Sequence, residues 1–246
     1  MKAILYIGHG SRSKRGAEEA RAFIQGVMNR TNEPAIQEYG FLELAEPSIE
    51  AAFEHCIDRG AEEIVVVPLF LLAAGHIKQD IPRILSSMQL KYPFVRIQMR
   101  EPFGIQDRML DAMADMVRTV AGRVLPEDRI LIVGRGSSDP MIQEDFAAIV
   151  NGMKGRLEVA SISVCYLAAA KPTLQEGLER ITKHAAGRIV LVPYLLFSGL
   201  LLTEIDRYVR VLKTNGYDIV HTGPLCRHRV IEDLVIERAA REHSII

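Results

Sequence analysis

Short apolar, β-branched runs alternate along this chain with longer stretches of helical periodicity. The runs predict strands at residues 3–7, 36–39, 63–69, 95–99, 129–133, 160–166, 188–193 and 218–221. Helical stretches fall between them, for example at 17–29, 48–59 and 105–121. Strands that are apolar throughout are covered on both faces. Their alternation with helices predicts an α/β chain of parallel sheets with helices on both sides.

The pattern occurs twice. Ile4-Leu5-Tyr6-Ile7-Gly8-His9-Gly10-Ser11 matches Ile130-Leu131-Ile132-Val133-Gly134-Arg135-Gly136-Ser137. Leu42 to Pro47 matches Leu167 to Pro172, and Ile64-Val65-Val66-Val67-Pro68-Leu69 matches Ile189-Val190-Leu191-Val192-Pro193-Tyr194. Asp80-Ile81 matches Glu204-Ile205, and Glu101-Pro102-Phe103 matches Gly223-Pro224-Leu225. A repeat of this length predicts two similar domains, 1–124 and 125–246, joined near 124–128. A cleft between two such domains is a usual ligand site. The mismatches are as informative. His9 faces Arg135, Glu43 faces Ala168, and His76 faces Leu200. The first half is therefore expected to keep the chemistry, and the second to bind or shape.

Composition narrows the partners. The net charge of −1 over 246 residues offers no electrostatic footprint for nucleic acid. The longest apolar runs, 64–75 and 189–202, each contain a proline and fall short of the roughly 18–20 residues of a membrane helix. The N-terminus runs directly into the first strand without a secretory pattern, so a cytoplasmic protein is expected. Cys56, Cys165 and Cys226 are widely spaced and form no CxxC pair, which predicts buried thiols rather than a metal or disulfide framework.

The candidate chemistry sits just after strands. Gly8-His9-Gly10-Ser11 follows the first, at the carboxyl end, where open α/β sheets bind ligands. The glycines allow a sharp turn and close approach, and Ser11 is placed to cap the next helix. His76 follows the third strand and Glu43 the second, so two imidazoles and a carboxylate can converge. Pro47 fits the first turn of the following helix. Arg135, flanked by glycines, with Ser137 beside it, suits a carboxylate or phosphate ligand. Arg12, Lys14 and Arg15 add a basic cluster that either meets substrate carboxylates or simply starts a solvated helix. His55, His184, His221, His228 and His243 have no comparable setting.

Three ordered motifs then carry a resemblance that extends over essentially the whole chain. Ile7-Gly8-His9-Gly10-Ser11-Arg12, Phe41-Leu42-Glu43-Leu44-Ala45-Glu46-Pro47-Ser48-Ile49, and Val67-Pro68-Leu69-Phe70-Leu71 through His76 with Asp80-Ile81-Pro82 resemble the class II chelatases of siroheme and cobalamin synthesis. Gly134-Arg135-Gly136-Ser137-Ser138-Asp139-Pro140 continues the likeness in the second half. Within that family the two-domain length is similar to the sirohydrochlorin ferrochelatases of bacilli, with the cobaltochelatases as the near alternative.

The resemblance implies two flavodoxin-like, chelatase-like domains with one active site between them. It implies that His9 and His76 serve the metal and the macrocycle, with Glu43 as acidic helper. It implies sirohydrochlorin as substrate, whose carboxylates the backbone at Gly10 and the side chains of Ser11, Arg135 and Ser137 are expected to anchor. Fe²⁺, or alternatively Co²⁺, would be the second substrate. No cluster-binding cysteine motif or histidine-rich tail stands in the sequence, so no permanently bound cofactor is expected. Two fused domains favour a monomer. A histidine phosphatase is disfavoured because Gly8 stands where that chemistry needs an arginine. A tetrapyrrole or metal carrier without catalysis remains the rival.

Overall fold

The eight apolar runs all form strands, and every pairing between them is parallel. The computed structural model describes residues 1–31, 33–73, 75–183 and 186–241, and for His76 the backbone alone. The first sheet contains β1 (Lys2–Gly8), β2 (Ile36–Phe41), β3 (Glu63–Pro68) and β4 (Arg96–Met99) in the order β2-β1-β3-β4. The second contains β5 (Arg129–Gly134), β6 (Ser161–Tyr166), β7 (Ile189–Tyr194) and β8 (Ile219–His221) in the order β6-β5-β7-β8. The expected two similar flavodoxin-like α/β domains are therefore what forms.

The repeat holds down to register. Ala3 pairs with Ile36 and Ile64, while Arg129 pairs with Ser161 and Ile189. Those are the positions that the sequence repeat equates.

Alternation along each strand feeds two cores. On one side of the first sheet, Ala3, Leu5, Ile7, Ile64 and Val66 pack on α2 (Ile49–Asp58) and α3 (Ile81–Lys91) through Ile49, Phe53, Ile81 and Leu85. In the second sheet Leu131, Val133, Ile189 and Leu191 do the same with α6 (Leu174–Thr182) and α7 (Leu200–Thr214). The intervening strand residues Ile4, Tyr6, Val65 and Val67 are also buried, as expected of a sheet covered on both faces.

The compact units divide differently from the linear repeat. One comprises Met1–Gly104 together with the chain from Ile231 onward, and the other Ile105–Val230. Thus α4 (Asp107–Ala121), at the end of the first repeat, packs in the second unit. Its Leu110 fills the space beside Gly152, and Arg156 bonds Asp107 and Asp111 at 2.7 and 2.6 Å. In return α8 (Arg229–Ala240) belongs mostly to the first unit. There Arg30 of α1 (Lys14–Arg30) bonds Glu232 at 2.8 Å and also Asp233, and Arg238 lies 5.2 Å from the Phe103 ring. Amphipathic periodicity shows that these helices bury a face but not which sheet receives it.

Among the described residues no helix is long and apolar enough to cross a membrane.

Candidate functional site

The β1–β2 ladder continues past the strand ends and brings two loops together. Leu42 N–H donates to the Gly8 carbonyl at 2.9 Å, and Glu43 N–H donates to the His9 carbonyl at 3.1 Å. On the other flank Leu69 N–H donates to Ile7 O at 2.8 Å, tying the end of β3 to the same place. Gly10 makes the approach possible. It has φ of 93°, and a Cβ there would stand 1.7 Å from the Glu43 carbonyl oxygen. The left-handed residue across from it, Leu44, has φ of 63°. Sequence placed His9 after the first strand and Glu43 after the second; the structure makes those strands neighbours and joins the two, with His9 Nε2 at 3.4 Å from Glu43 Oε1. The Phe70 ring is 6.3 Å from the His9 ring and tilted by 50°. Sequence reasoning gave Phe70 no role, although its place two residues beyond Pro68 marks a strand end.

The contacts of His9 constrain its chemistry. Its Nδ1 lies 3.3 Å from the Gly10 carbonyl, an acceptor only, and its Nε2 faces a carboxylate oxygen. A neutral imidazole has one N–H. If Nδ1–H serves Gly10, the Nε2 lone pair and Glu43 Oε1 form a pair of donors that a shared cation, proton or metal, would reconcile. Two such donors about 2.1 Å from a divalent ion at a near-tetrahedral angle stand about 3.4 Å apart.

The second repeat copies the loop without its chemistry. Ala168 N–H donates to Arg135 O at 2.9 Å, Gly136 has φ of 88°, and Ala169 has φ of 53°. A Cβ at Gly136 would meet the Ala168 carbonyl at 1.7 Å. Arg135 is exposed at the tip. Ser11 and Ser137 play one local part: each Oγ accepts the N–H two residues on, Ser13 and Asp139, at 3.1 Å. Ser11 is therefore not the helix cap. Ser13 is, accepting from Gly16 N–H at 3.3 Å, two residues further on. Likewise Pro47 lies before the N-cap Ser48 rather than within the first turn of α2.

His76 opens a single π-helical turn, His76–Asp80, ahead of α3, where the second repeat has the first turn of α7. The His76 side chain lies outside the described residues, as do His184 and His243. Among the described residues no group of three His, Cys, Asp or Glu side chains is placed to hold a metal ion. A pocket of ≈ 310 Å³ adjoins the His9–Glu43 pair and is lined by Leu42, Glu43, Asp80, Arg83 and Ile84.

The remaining candidates sit apart. Burial pushes the Cys56 and Cys165 thiols up to about 12, which leaves them inert packing, and Cys226 is half-buried. His55 lies 3.3 Å from Glu38 at the surface. His221 bonds Asp206 at 2.8 Å, and burial, opposed by that carboxylate, holds its pKa below the ordinary histidine value.

Comparison with known proteins identifies the family and the fold. The CbiX family profile matches the chain twice, over residues 3–120 and 129–242. A sirohydrochlorin ferrochelatase of Priestia megaterium is 40% identical over 228 residues, which is 93% of this chain and 85% of that protein. A sirohydrochlorin cobaltochelatase of the same organism is 28% identical over 97% of this chain and 79% of its own length. The structure of SirB from Bacillus subtilis with Fe³⁺ superposes with a TM-score of 0.85 at 37% identity, covering 96% of this chain and 93% of that one.

Proposed function

The chain belongs to the CbiX family, and from that premise we propose that it inserts Fe²⁺ into sirohydrochlorin, releasing two protons. The likeness to the ferrochelatase exceeds that to the cobaltochelatase, which favours iron over Co²⁺. The observation that carries the mechanism is the 3.4 Å separation of His9 Nε2 and Glu43 Oε1.

Insertion exchanges two pyrrolic protons for one dication. The protein must therefore present the metal to the ring and then accept protons. An imidazole nitrogen is a good borderline ligand for Fe²⁺ and Co²⁺ and titrates near neutral pH, so it can serve both ends of the exchange. In this reading the His9–Glu43 pair holds the ion by one nitrogen and one oxygen. As the metal passes to the ring nitrogens, the same pair takes up one displaced proton and the His76 imidazole the other. His76 is proposed as the second imidazole. A carboxylate beside a ligating or basic imidazole orients it and raises its basicity. Glu43→Gln keeps the size and removes the charge. It is expected to lower kcat about 10- to 100-fold, measured by the loss of free-ring absorbance.

Sirohydrochlorin carries carboxylates around an apolar ring. We assign their recognition to the backbone at Gly10, the hydroxyls of Ser11 and Ser137, and the Arg135 guanidinium. Arg135→Ala is expected to raise KM for the tetrapyrrole about tenfold while kcat stays within about threefold, consistent with loss of a charge-assisted contact. An unchanged KM in steady-state assays would count against the anchor. In its simplest form this reading is of a cytoplasmic monomer with no resident cofactor. Side-by-side anaerobic assays with Fe²⁺ and Co²⁺ test the metal: the ferrochelatase assignment needs the faster turnover with Fe²⁺. Tight tetrapyrrole binding without acceleration by either ion would identify a carrier instead.

A further inference from the structure

The pocket beside the His9–Glu43 pair contains a cation that the mechanism above leaves unused. Arg83 stands in the first turn of α3, immediately beyond the π-helical turn His76–Asp80. It is exposed, lines the pocket, and makes no hydrogen bond or ion pair among the described residues. The second repeat shows the contrast. Arg207 occupies the equivalent position, and its guanidinium lies 5.0 Å from the ring of Tyr208. In the first repeat the residue after the arginine is Ile84, so no ring follows it in sequence, and among the described residues none lies against its guanidinium.

The rest of the lining says what the arginine would meet. Leu42 and Ile84 give the pocket an apolar side, while Glu43 and Asp80 would repel a second anion. A volume of ≈ 310 Å³ is at the small end for ligand sites, enough for a side arm rather than a whole macrocycle. A short methylene stem against Leu42 and Ile84, ending in a carboxylate on the planar guanidinium fork, fits both the polar and the apolar lining. Because Glu43 belongs both to this pocket and to the His9 pair, an arm seated here is fixed relative to the reacting groups.

We propose that Arg83 is a specificity-determining residue that anchors one carboxylate arm of the tetrapyrrole in this pocket. The proposal rests on the chelatase reading above. Its test is titration of the metal-free protein with sirohydrochlorin and with its neutral methyl ester, followed by steady-state metalation, in wild type, Arg83→Gln and Arg83→Lys. For Arg83→Gln the expected result is a tenfold rise in Kd and KM for the acid, or about 1.4 kcal/mol. Turnover should stay within about twofold and Arg83→Lys should recover part of the loss, a single charge-assisted contact being at stake. The ester should bind wild type and Arg83→Gln equally. Melting curves of the variants should overlay, because the side chain is exposed. A normal Kd in Arg83→Gln, with wild type binding the acid, overturns the anchor alone. An equal loss of affinity for acid and ester also overturns it. Failure of wild type to bind the acid would remove the chelatase reading and this assignment together.

Discussion

Replacing His9 by alanine is expected to abolish metal insertion while leaving tetrapyrrole binding largely intact. The side chain supplies Nε2 to the donor pair with Glu43, 3.4 Å away. Alanine removes the group that the proposal makes both metal ligand and proton acceptor. General-base contributions alone are worth about 10² to 10⁴ in rate, roughly 3 to 5 kcal/mol of barrier. Loss of a ligand adds to that, so kcat should fall at least 10²-fold. The fold should survive, because the side chain is half-buried rather than in the core. Binding of the metal-free ring, followed by its absorbance, should change by less than about threefold. A variant that metalates at the normal rate would remove His9 from the mechanism.

The second large effect is steric. Gly10→Ala should destabilise the protein by at least about 3 kcal/mol, because the new methyl would stand 1.7 Å from the Glu43 carbonyl and the positive φ disfavours any L side chain. For a chain of this size that is a Tm lower by about 6–12 °C. The loop can relieve the clash only by moving apart from its neighbour, which breaks the Glu43 N–H bond to His9 O and separates the donor pair. Gly136→Ala meets the Ala168 carbonyl at the same 1.7 Å and should cost similar stability. It leaves His9 and Glu43 untouched. Calorimetry should thus lower Tm in both variants, whereas kcat per folded molecule should fall much further in Gly10→Ala. Equal kcat losses would show that the Gly10 loop does not set the reacting geometry.

Strand positions were legible because each strand is a short, continuously apolar run, and all eight form within two residues of their expected bounds. The repeat was legible because it preserves special backbone positions: Gly10 and Gly136, and the loops that carry Leu44 and Ala169. The exchange of α4 and α8 was not, since a helical apolar face does not name its partner. The helix start was misplaced to Ser11 because two serines stand close together there, and in the structure the Ser11 hydroxyl is engaged by Ser13 N–H while Ser13 caps. The convergence of His9 with Glu43 could be anticipated because both follow strands at the carboxyl end, while the adjacency of those two strands came from the structure. The Arg83 pocket could not, because it depends on where the turn preceding α3 sets a side chain that reads in sequence as solvated helix.

The central claim is that this chain accelerates exchange of two pyrrolic protons for a divalent ion. It is tested most directly by mixing the purified protein anaerobically with sirohydrochlorin and Fe²⁺ in weak buffer with a pH indicator, against a no-enzyme control. The expected result is faster loss of the free-ring bands, matched by release of two protons per ring. Decay of the ring bands at the uncatalysed rate with Fe²⁺, and again with Co²⁺, would contradict it.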